Sequence, residues 1–265
     1  MNLLVIGGGG REHAIVKKLK ENPAVETIYC APGNGGIAAD AVCVPEIGAK
    51  DISAQVDFAK THSIDFAVVA PDDPLVLGAV DALEAAGIPC FGPEAKAAII
   101  EGSKVFSKDL MKKYGIPTAE YQVFTDAASA MDYVKSCALP VVVKADGLAL
   151  GKGVLIAETR EDAVAAVESI MLDRAFGDSG NQVVIEEFLT GPEVSVLAFT
   201  DGKTVVPMVS SMDHKRAHDH DEGLNTGGMG TVAPNPYYTE DMARVCMVTI
   251  FLPTMDNLTL LARKY

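Results

Sequence analysis

Positive charge is scarce in this 265-residue chain: 22 Lys and Arg stand against 36 Asp and Glu, for a net charge of −14. A broad grip on nucleic acid or an anionic membrane needs clustered Lys and Arg to release counterions, so neither is expected as a partner. The five cysteines, Cys30, Cys43, Cys90, Cys137 and Cys246, include no CxxC pair. Odd in number and scattered through apolar stretches, they read as buried thiols in a reducing compartment, with no disulfide framework. The first apolar run, Met1 to Ile6, passes straight into Gly7 without a basic leader, so no secretory signal is expected and the cytoplasm is the expected location. Apolar runs such as Val245 to Leu252 fall far short of the roughly 18 to 20 residues that span a bilayer. Repeats and low-complexity tracts are lacking too.

What is present is a core-forming composition, 49% hydrophobic, in a length suited to one large or two modest domains of roughly 150 residues. Up to about Gly92, short β-rich runs alternate with helix-like stretches: Leu3 to Ile6, Thr27 to Ala31, Ala41 to Val44, Phe66 to Ala70 and Ile88 to Phe91, with amphipathic segments such as Ala14 to Leu19 and Leu75 to Ala86 between them. That rhythm predicts an open, doubly wound α/β domain on a parallel sheet. One or two helices should fill Gly92 to Tyr114, with Gly102-Ser103 as the interruption and Gly115-Ile116-Pro117 as the stop. The next block changes character. Strands Val141 to Lys144, Val154 to Ala157 and Gln182 to Glu186, with a helix over Arg160 to Met171, suggest an antiparallel unit beside a helix. Strands Val194 to Thr200 and Lys203 to Met208 flank the hairpin signal Asp201-Gly202, and a further helix starts near Thr239.

Four segments could carry chemistry. Gly7-Gly8-Gly9-Gly10-Arg11-Glu12-His13 follows a strand and opens a helix, where glycine backbone N–H groups, the helix N-terminus and Arg11 suit an anion. Glu12 stands where a GxGxxG dinucleotide fingerprint needs its third glycine, which disfavours a nicotinamide cofactor and leaves phosphate binding or a plain tight turn. The Gly-rich turn from Lys144 through Gly147, Gly151, Lys152 and Gly153 lies between two strands and could fold over a polyphosphate, or be a solvated hairpin. It is not a Walker A loop, because Gly153 follows Lys152 where a Ser or Thr would hold magnesium. Glu186-Glu187-Phe188-Leu189, followed by Gly191-Pro192-Glu193, reads as a hinge that could meet a base edge and ribose hydroxyls, or as solvated acids at a strand end. The stretch from Asp213-His214-Lys215 to Asn225-Thr226-Gly227-Gly228-Met229-Gly230 gathers His and carboxylates, but their spacing matches no structural zinc pattern. No metal-ligand set is assigned there. Its glycines beside Asn and Thr offer donors to an anion or carboxylate.

In order, VIGGGGREHAI, APGNGG, DDPLVLG, EGSKVFSKDLM, VVVKADGLALGKGV, EEFLTGPEVS and DHKRAHDHDEGLNTGGMGTVAPNP resemble the ATP-grasp ligases and, within them, the phosphoribosylamine–glycine ligase family. The resemblance implies a Rossmann-like N-terminal domain over 1–101, a linker helix and the start of the ATP-grasp fold over 102–122, a nucleotide-lid lobe over 123–191 and a partial main lobe over 192–265. It implies ligation of glycine to 5-phosphoribosylamine through a glycyl phosphate, with ATP and Mg2+ or Mn2+ as cofactors. A non-catalytic nucleotide-binding fragment and another ATP-grasp carboxylate–amine ligase are the alternatives.

By that resemblance Lys104 and Lys144 would contact ATP phosphates, and the Gly147 to Gly153 loop, with Gly151 and Lys152, would cover them. Glu186, Glu187 and Leu189 would form the adenine hinge, and Glu193 would hold the ribose. Asp213 and Lys215, with Asn225, Thr226, Gly227 and Gly228, and Gly9, Gly10, Arg11 and Glu12, would face the other substrates; Lys144, Asp213 and Lys215 are the catalytic candidates. Family members continue past the helix near Thr239 into a segment like EYNCRFGDPE, whose Glu and Asn ligate magnesium, whereas DNLTLLARKY at 256–265 does not resemble that continuation. The chain is therefore expected to be truncated or frame-shifted, with Val245, Ile250, Phe251 and Leu252 exposed.

Overall fold

A computed structural model describes residues 1–148, 153–226 and 228–260. The chain divides into two compact units, Met1–Gly102 and a second from Ser103.

The first unit runs β1 (Asn2–Gly7), α1 (Gly10–Lys20), β2 (Thr27–Pro32), β3 (Val42–Cys43), α2 (Ile52–Thr61), β4 (Phe66–Val69), α3 (Asp72–Val76), α4 (Ala79–Ala85), β5 (Cys90–Phe91) and α5 (Ala95–Gly102). Its sheet is parallel throughout, in the order β3-β2-β1-β4-β5. Alternation along β1 explains the two helical layers: Leu4 and Ile6 join Ala67, Val69, Val80 and Leu83 on one face, while Leu3 and Val5 join Val16, Ile28, Cys30 and Val68 on the other. The doubly wound expectation holds. The single helix expected over Leu75 to Ala86 is instead two, broken where Gly78 takes the left-handed conformation at φ 87°.

The second unit runs α6 (Lys104–Tyr114), β6 (Tyr121–Phe124), α7 (Ala127–Val134), β7 (Val141–Ala145), β8 (Val154–Ala157), α8 (Arg160–Val167) and β9 (Val183–Glu187). It continues with β10 (Ala198–Thr200), β11 (Val205–Pro207), β12 (Met212–Asp213), β13 (Arg216–His218), β14 (Glu222–Asn225), β15 (Thr231–Val232), α9 (Glu240–Cys246) and α10 (Leu252–Leu260). Side-chain caps start the helices: Ser103 accepts from Phe106 N–H at 3.1 Å, Asp126 from Ser129 at 2.8 Å and Thr159 from Asp162 at 3.1 Å.

Strands β6-β9-β7-β8 form an antiparallel sheet. Val141, Val143, Ala145, Val183 and Ile185 pack on Ala130, Val134, Ala163, Val167 and Ile170, so one face is covered by α7 and α8. The period of two then sends Val142, Lys144, Val184 and Glu186 to the other face. Strand β6 and helix α7 were not foreseen from the sequence. The expected hairpin at Asp201-Gly202 is present as β10 and β11. Among the described residues no helix is long and apolar enough to cross a membrane.

Candidate nucleotide site

On the sheet face away from α7 and α8, Val142 stands opposite Glu186 and Lys144 opposite Val184. Lys144 and Glu186 are thus diagonal cross-strand neighbours, a spacing long side chains bridge. Their ammonium and carboxylate form an ion pair at Glu186 Oε1. Glu186 is only 6% exposed. Its other oxygen, Oε2, lies 2.5 Å from Lys108 Nζ, which reaches it from α6. By distance that is an ion pair, yet Oε2 accepts no hydrogen bond of good direction, so it keeps acceptor capacity for a further donor.

Lys108 is itself anchored, donating to Thr118 Oγ1 at 2.8 Å and to the Ala119 carbonyl at 3.3 Å. The Tyr121 ring lies 5.5 Å from Lys108 Nζ and 5.6 Å from Lys112 Nζ. Burial, and then a 2.8 Å hydrogen bond to Asp109, push the Tyr121 phenol up to about 12, which keeps it a neutral face for these cations.

The start of the glycine loop is tied to the start of α6. Lys104 Nζ donates to the Gly147 carbonyl. Asp146 accepts from Ser103 Oγ at 3.1 and 3.2 Å and from Val105 N–H at 3.2 Å, so a carboxylate sits at the positive end of the helix. Gly153 is buried at the entry to β8, while Gly151 and Lys152 lie outside the described residues. A cleft of about 310 Å³ borders Gly147, lined by Asp146, Asp178, Ser179, Asn181 and Gln182. Among the described residues its lining includes no lysine, whereas the sheet face carries Lys144 and Lys108.

At the hinge, Glu187 continues the β9 ladder: its N–H donates to the Glu120 carbonyl and its carboxylate accepts from Glu120 N–H, both at 3.0 Å. Leu189 is 65% exposed. Glu193 pairs with Lys215, which also lies 3.9 Å from Asp213. The segments around Asp213 and Gly228 run side by side: Thr226 N–H donates to the Lys215 carbonyl at 2.6 Å and Met229 N–H to His214 at 2.8 Å. A Cβ on Gly228 would stand 3.4 Å from the Asp213 carboxylate. Backbone of Asn225 closes β14, and Gly227 lies outside the described residues. The structure thus gathers Glu193, Asp213, Lys215, Thr226 and Gly228 into one charged cluster.

Within the first unit, Glu12 is buried and reaches back from the third position of α1 to Gly9 N–H at 2.6 Å, the carboxylate half of a capping box. Arg11 Nε donates to the same carboxylate at 2.9 Å. Gly10 opens the helix. The neighbouring APGNGG loop is bound to this turn, with Asn34 Nδ2 donating to the Gly8 carbonyl at 2.8 Å and Gly33 N–H to Gly7 at 3.1 Å. A Cβ on Gly8 would come within 2.6 Å of the Gly33 carbonyl oxygen, so the contact requires glycine.

Sequence reasoning missed Lys108, Asp146 and Asn235. Lys108 stands one turn after Lys104, a hint that both serve one face. Asn235 is buried, donating to the Glu193 carbonyl at 2.9 Å and accepting from Tyr237 N–H at 2.8 Å; only its place in the VAPNP run marked it.

Two family models divide the chain between them: the phosphoribosylglycinamide synthetase N domain matches residues 1–101, and the phosphoribosylglycinamide synthetase ATP-grasp (A) domain matches residues 102–265. The chain belongs to the phosphoribosylglycinamide synthetase family. It is 50% identical over 258 residues to a phosphoribosylamine–glycine ligase of Listeria monocytogenes, covering 97% of this chain and 61% of that protein. Against the Escherichia coli protein of the same name it is 49% identical over 259 residues, covering 97% and 60%. The chain therefore spans about 61% of the length of such relatives. A crystal structure of the Thermotoga maritima phosphoribosylamine–glycine ligase superposes with a TM-score of 0.84 at 31% identity, covering all of this chain and 63% of that one. The N5-carboxyaminoimidazole ribonucleotide synthetase of Thermus thermophilus, at TM-score 0.67 and 21% identity, shares the fold. The fold is α/β, an N domain followed by an ATP-grasp domain.

Proposed function

We propose that this chain binds ATP at the Lys144 and Glu186 face of its second unit's sheet and belongs to a cytoplasmic enzyme that joins glycine to 5-phosphoribosylamine. One observation carries the nucleotide reading: Lys104 and Lys144 are delivered to the start of the same glycine loop, Lys104 on the Gly147 carbonyl and Lys144 three residues upstream on the neighbouring strand.

A carboxylate is a poor electrophile because oxide is a poor leaving group. Transfer of the ATP γ-phosphoryl group to glycine gives glycyl phosphate and ADP. Attack by the amine of phosphoribosylamine on the acyl carbon then forms the amide bond, breaks the acyl–phosphate bond and releases phosphate and a proton. Catalysis of this kind rests on positioning and charge neutralisation, not on a side-chain nucleophile. Lys104, Lys144 and Lys152 would neutralise phosphate oxygens, with Gly147, Gly151 and Gly153 in the covering loop. Glu186, Glu187 and Leu189 would meet the adenine and Glu193 the ribose. Asp213, Lys215, Asn225, Thr226, Gly227 and Gly228 would serve the reacting groups. Gly9 and Gly10, at the N-terminus of α1, supply donors suited to a substrate phosphate, with Arg11 and Glu12 fixing that turn.

Magnesium would need oxygen ligands converging on the phosphates. Asp146 is committed to Ser103 and Val105, Glu186 to two lysines, and Glu193 and Asp213 to Lys215. Among the described residues no three His, Cys, Asp or Glu converge. The described residues do not fit a metal site. That same observation favours a second reading, a chain that binds nucleotide without turnover. Steady-state ADP release separates the two. Release that requires both glycine and phosphoribosylamine supports the ligase, whereas ATP binding without amine-dependent release supports the second reading.

A further inference from the structure

Lys108, Lys144 and Glu186 place two ammonium groups on one buried carboxylate, leaving one positive charge in excess. A surplus buried charge is costly unless an anion compensates it. The two lysines are not equivalent. The side chain of Lys108 is 11% exposed and that of Lys144 26%. Lys108 donates to Thr118 and Ala119 and is ion-paired with Glu186, which together fix its ammonium. Lys144 stands on a strand beside the glycine loop, paired with Glu186.

We infer that Lys108 is the fixed counter-ion of Glu186, and that its presence releases Lys144 to the nucleotide phosphates. The inference rests on the nucleotide reading above and adds a residue to it. Were Lys108 absent, moving Lys144 onto phosphate would strip a buried carboxylate of its only nearby cation in this trio, and Lys144 would be retained on Glu186. With Lys108 in place Glu186 remains neutralised throughout. Its Oε2, without a well-directed donor, also stays available to a donor on the base. Lys108 is thus a positioning residue that acts through Glu186 and touches no substrate.

The test is calorimetric titration of the intact chain with inorganic tripolyphosphate and with ATP. Lys108→Met should weaken tripolyphosphate binding by about tenfold, the equivalent of one charge-assisted hydrogen bond. Adding Glu186→Gln to it should restore tripolyphosphate affinity, because a neutral amide no longer retains Lys144, and Lys108→Arg should bind like the parent chain. A merely structural role would lower the melting temperature without recovery in the double variant. Unchanged affinity in Lys108→Met, or no recovery with Glu186→Gln, overturns the inference while the parent chain's binding keeps the nucleotide reading intact. If Lys108→Met does not fold, Glu186→Gln alone decides: it must bind tripolyphosphate at least as tightly as the parent, and weaker binding overturns the inference. A parent chain that binds neither probe sinks the nucleotide reading, and this inference with it.

Discussion

Limited proteolysis should divide the chain shortly after Glu187. Among the described residues, every buried apolar side chain lies at or before Ile185 except Met255 and Leu258 on α10. Between Leu197 and Leu252, thirteen large apolar side chains are exposed, including Leu197 at 66%, Val209 at 69%, Val248 at 62% and Val245 at 56%. Full burial of such a side chain stabilises by about 1.5–3 kcal/mol, so a residue left roughly half exposed forgoes about 1 kcal/mol. Over thirteen residues the forgone stabilisation is on the order of 10 kcal/mol, as large as the net stability of about 5–15 kcal/mol that holds a typical domain. This segment should open locally at little cost while the two sheets stay closed. Low-dose protease followed by mass spectrometry should find the first cuts between residues 190 and 250, with 1–187 surviving. Hydrogen exchange should show fast amides over β10 to β15 and slow ones in β1, β4, β7 and β9. Equal protection across the whole chain would refute the reasoning.

Other outcomes follow from single sites. Burial pushes the Cys30 and Cys90 thiols from an ordinary 9.0 up to about 12, a roughly thousandfold fall in thiolate at pH 8; mass spectrometry should find both unalkylated by iodoacetamide in the native chain and labelled after denaturation, and rapid native labelling would contradict this. The hydrogen bond from His13, and next that from Lys20, hold the Asp40 carboxyl below its ordinary 3.8. Its folded pKa is depressed, so its stabilising contribution is present above the unfolded value and disappears as pH falls through the folded one. His13→Ala should raise the Asp40 midpoint in a carboxyl NMR titration, and an unmoved midpoint would disprove the assignment. Ile185, fully buried on the central strand β9, should cost about 2–5 kcal/mol as Ile185→Ala by chemical denaturation, against less than about 0.5 kcal/mol for the exposed Val206→Ala.

The parallel sheet of the first unit was legible because its strands are continuous apolar runs bounded by Gly or Pro, the pattern of strands buried on both faces. Where Pro89 interrupts the run Ile88 to Phe91, the strand shrinks to Cys90–Phe91, since proline lacks the ladder donor. Strand β6 and helix α7 escaped notice because Tyr121–Phe124 is four residues long with one polar member, and the eight-residue helix after it shows too short a period to stand out. The glycine loop and its lysines could be read as segments, but their partners could not. Nothing local says that Lys108, one of four lysines between 104 and 113, turns inward to Glu186, because that contact spans 78 residues of chain and exists only once α6 lies on the sheet. Asp146 and Asn235 were hidden for the same reason: each bonds to a segment far along the sequence.

A crystal structure of the chain with a non-hydrolysable ATP analogue tests the nucleotide site most directly. The triphosphate should lie beside Lys144 at the end of β7, with Lys144 Nζ moved from Glu186 onto phosphate oxygens, Lys104 beside it and Lys108 still on Glu186. Phosphates bound elsewhere, with Lys144 left on Glu186, would contradict the account.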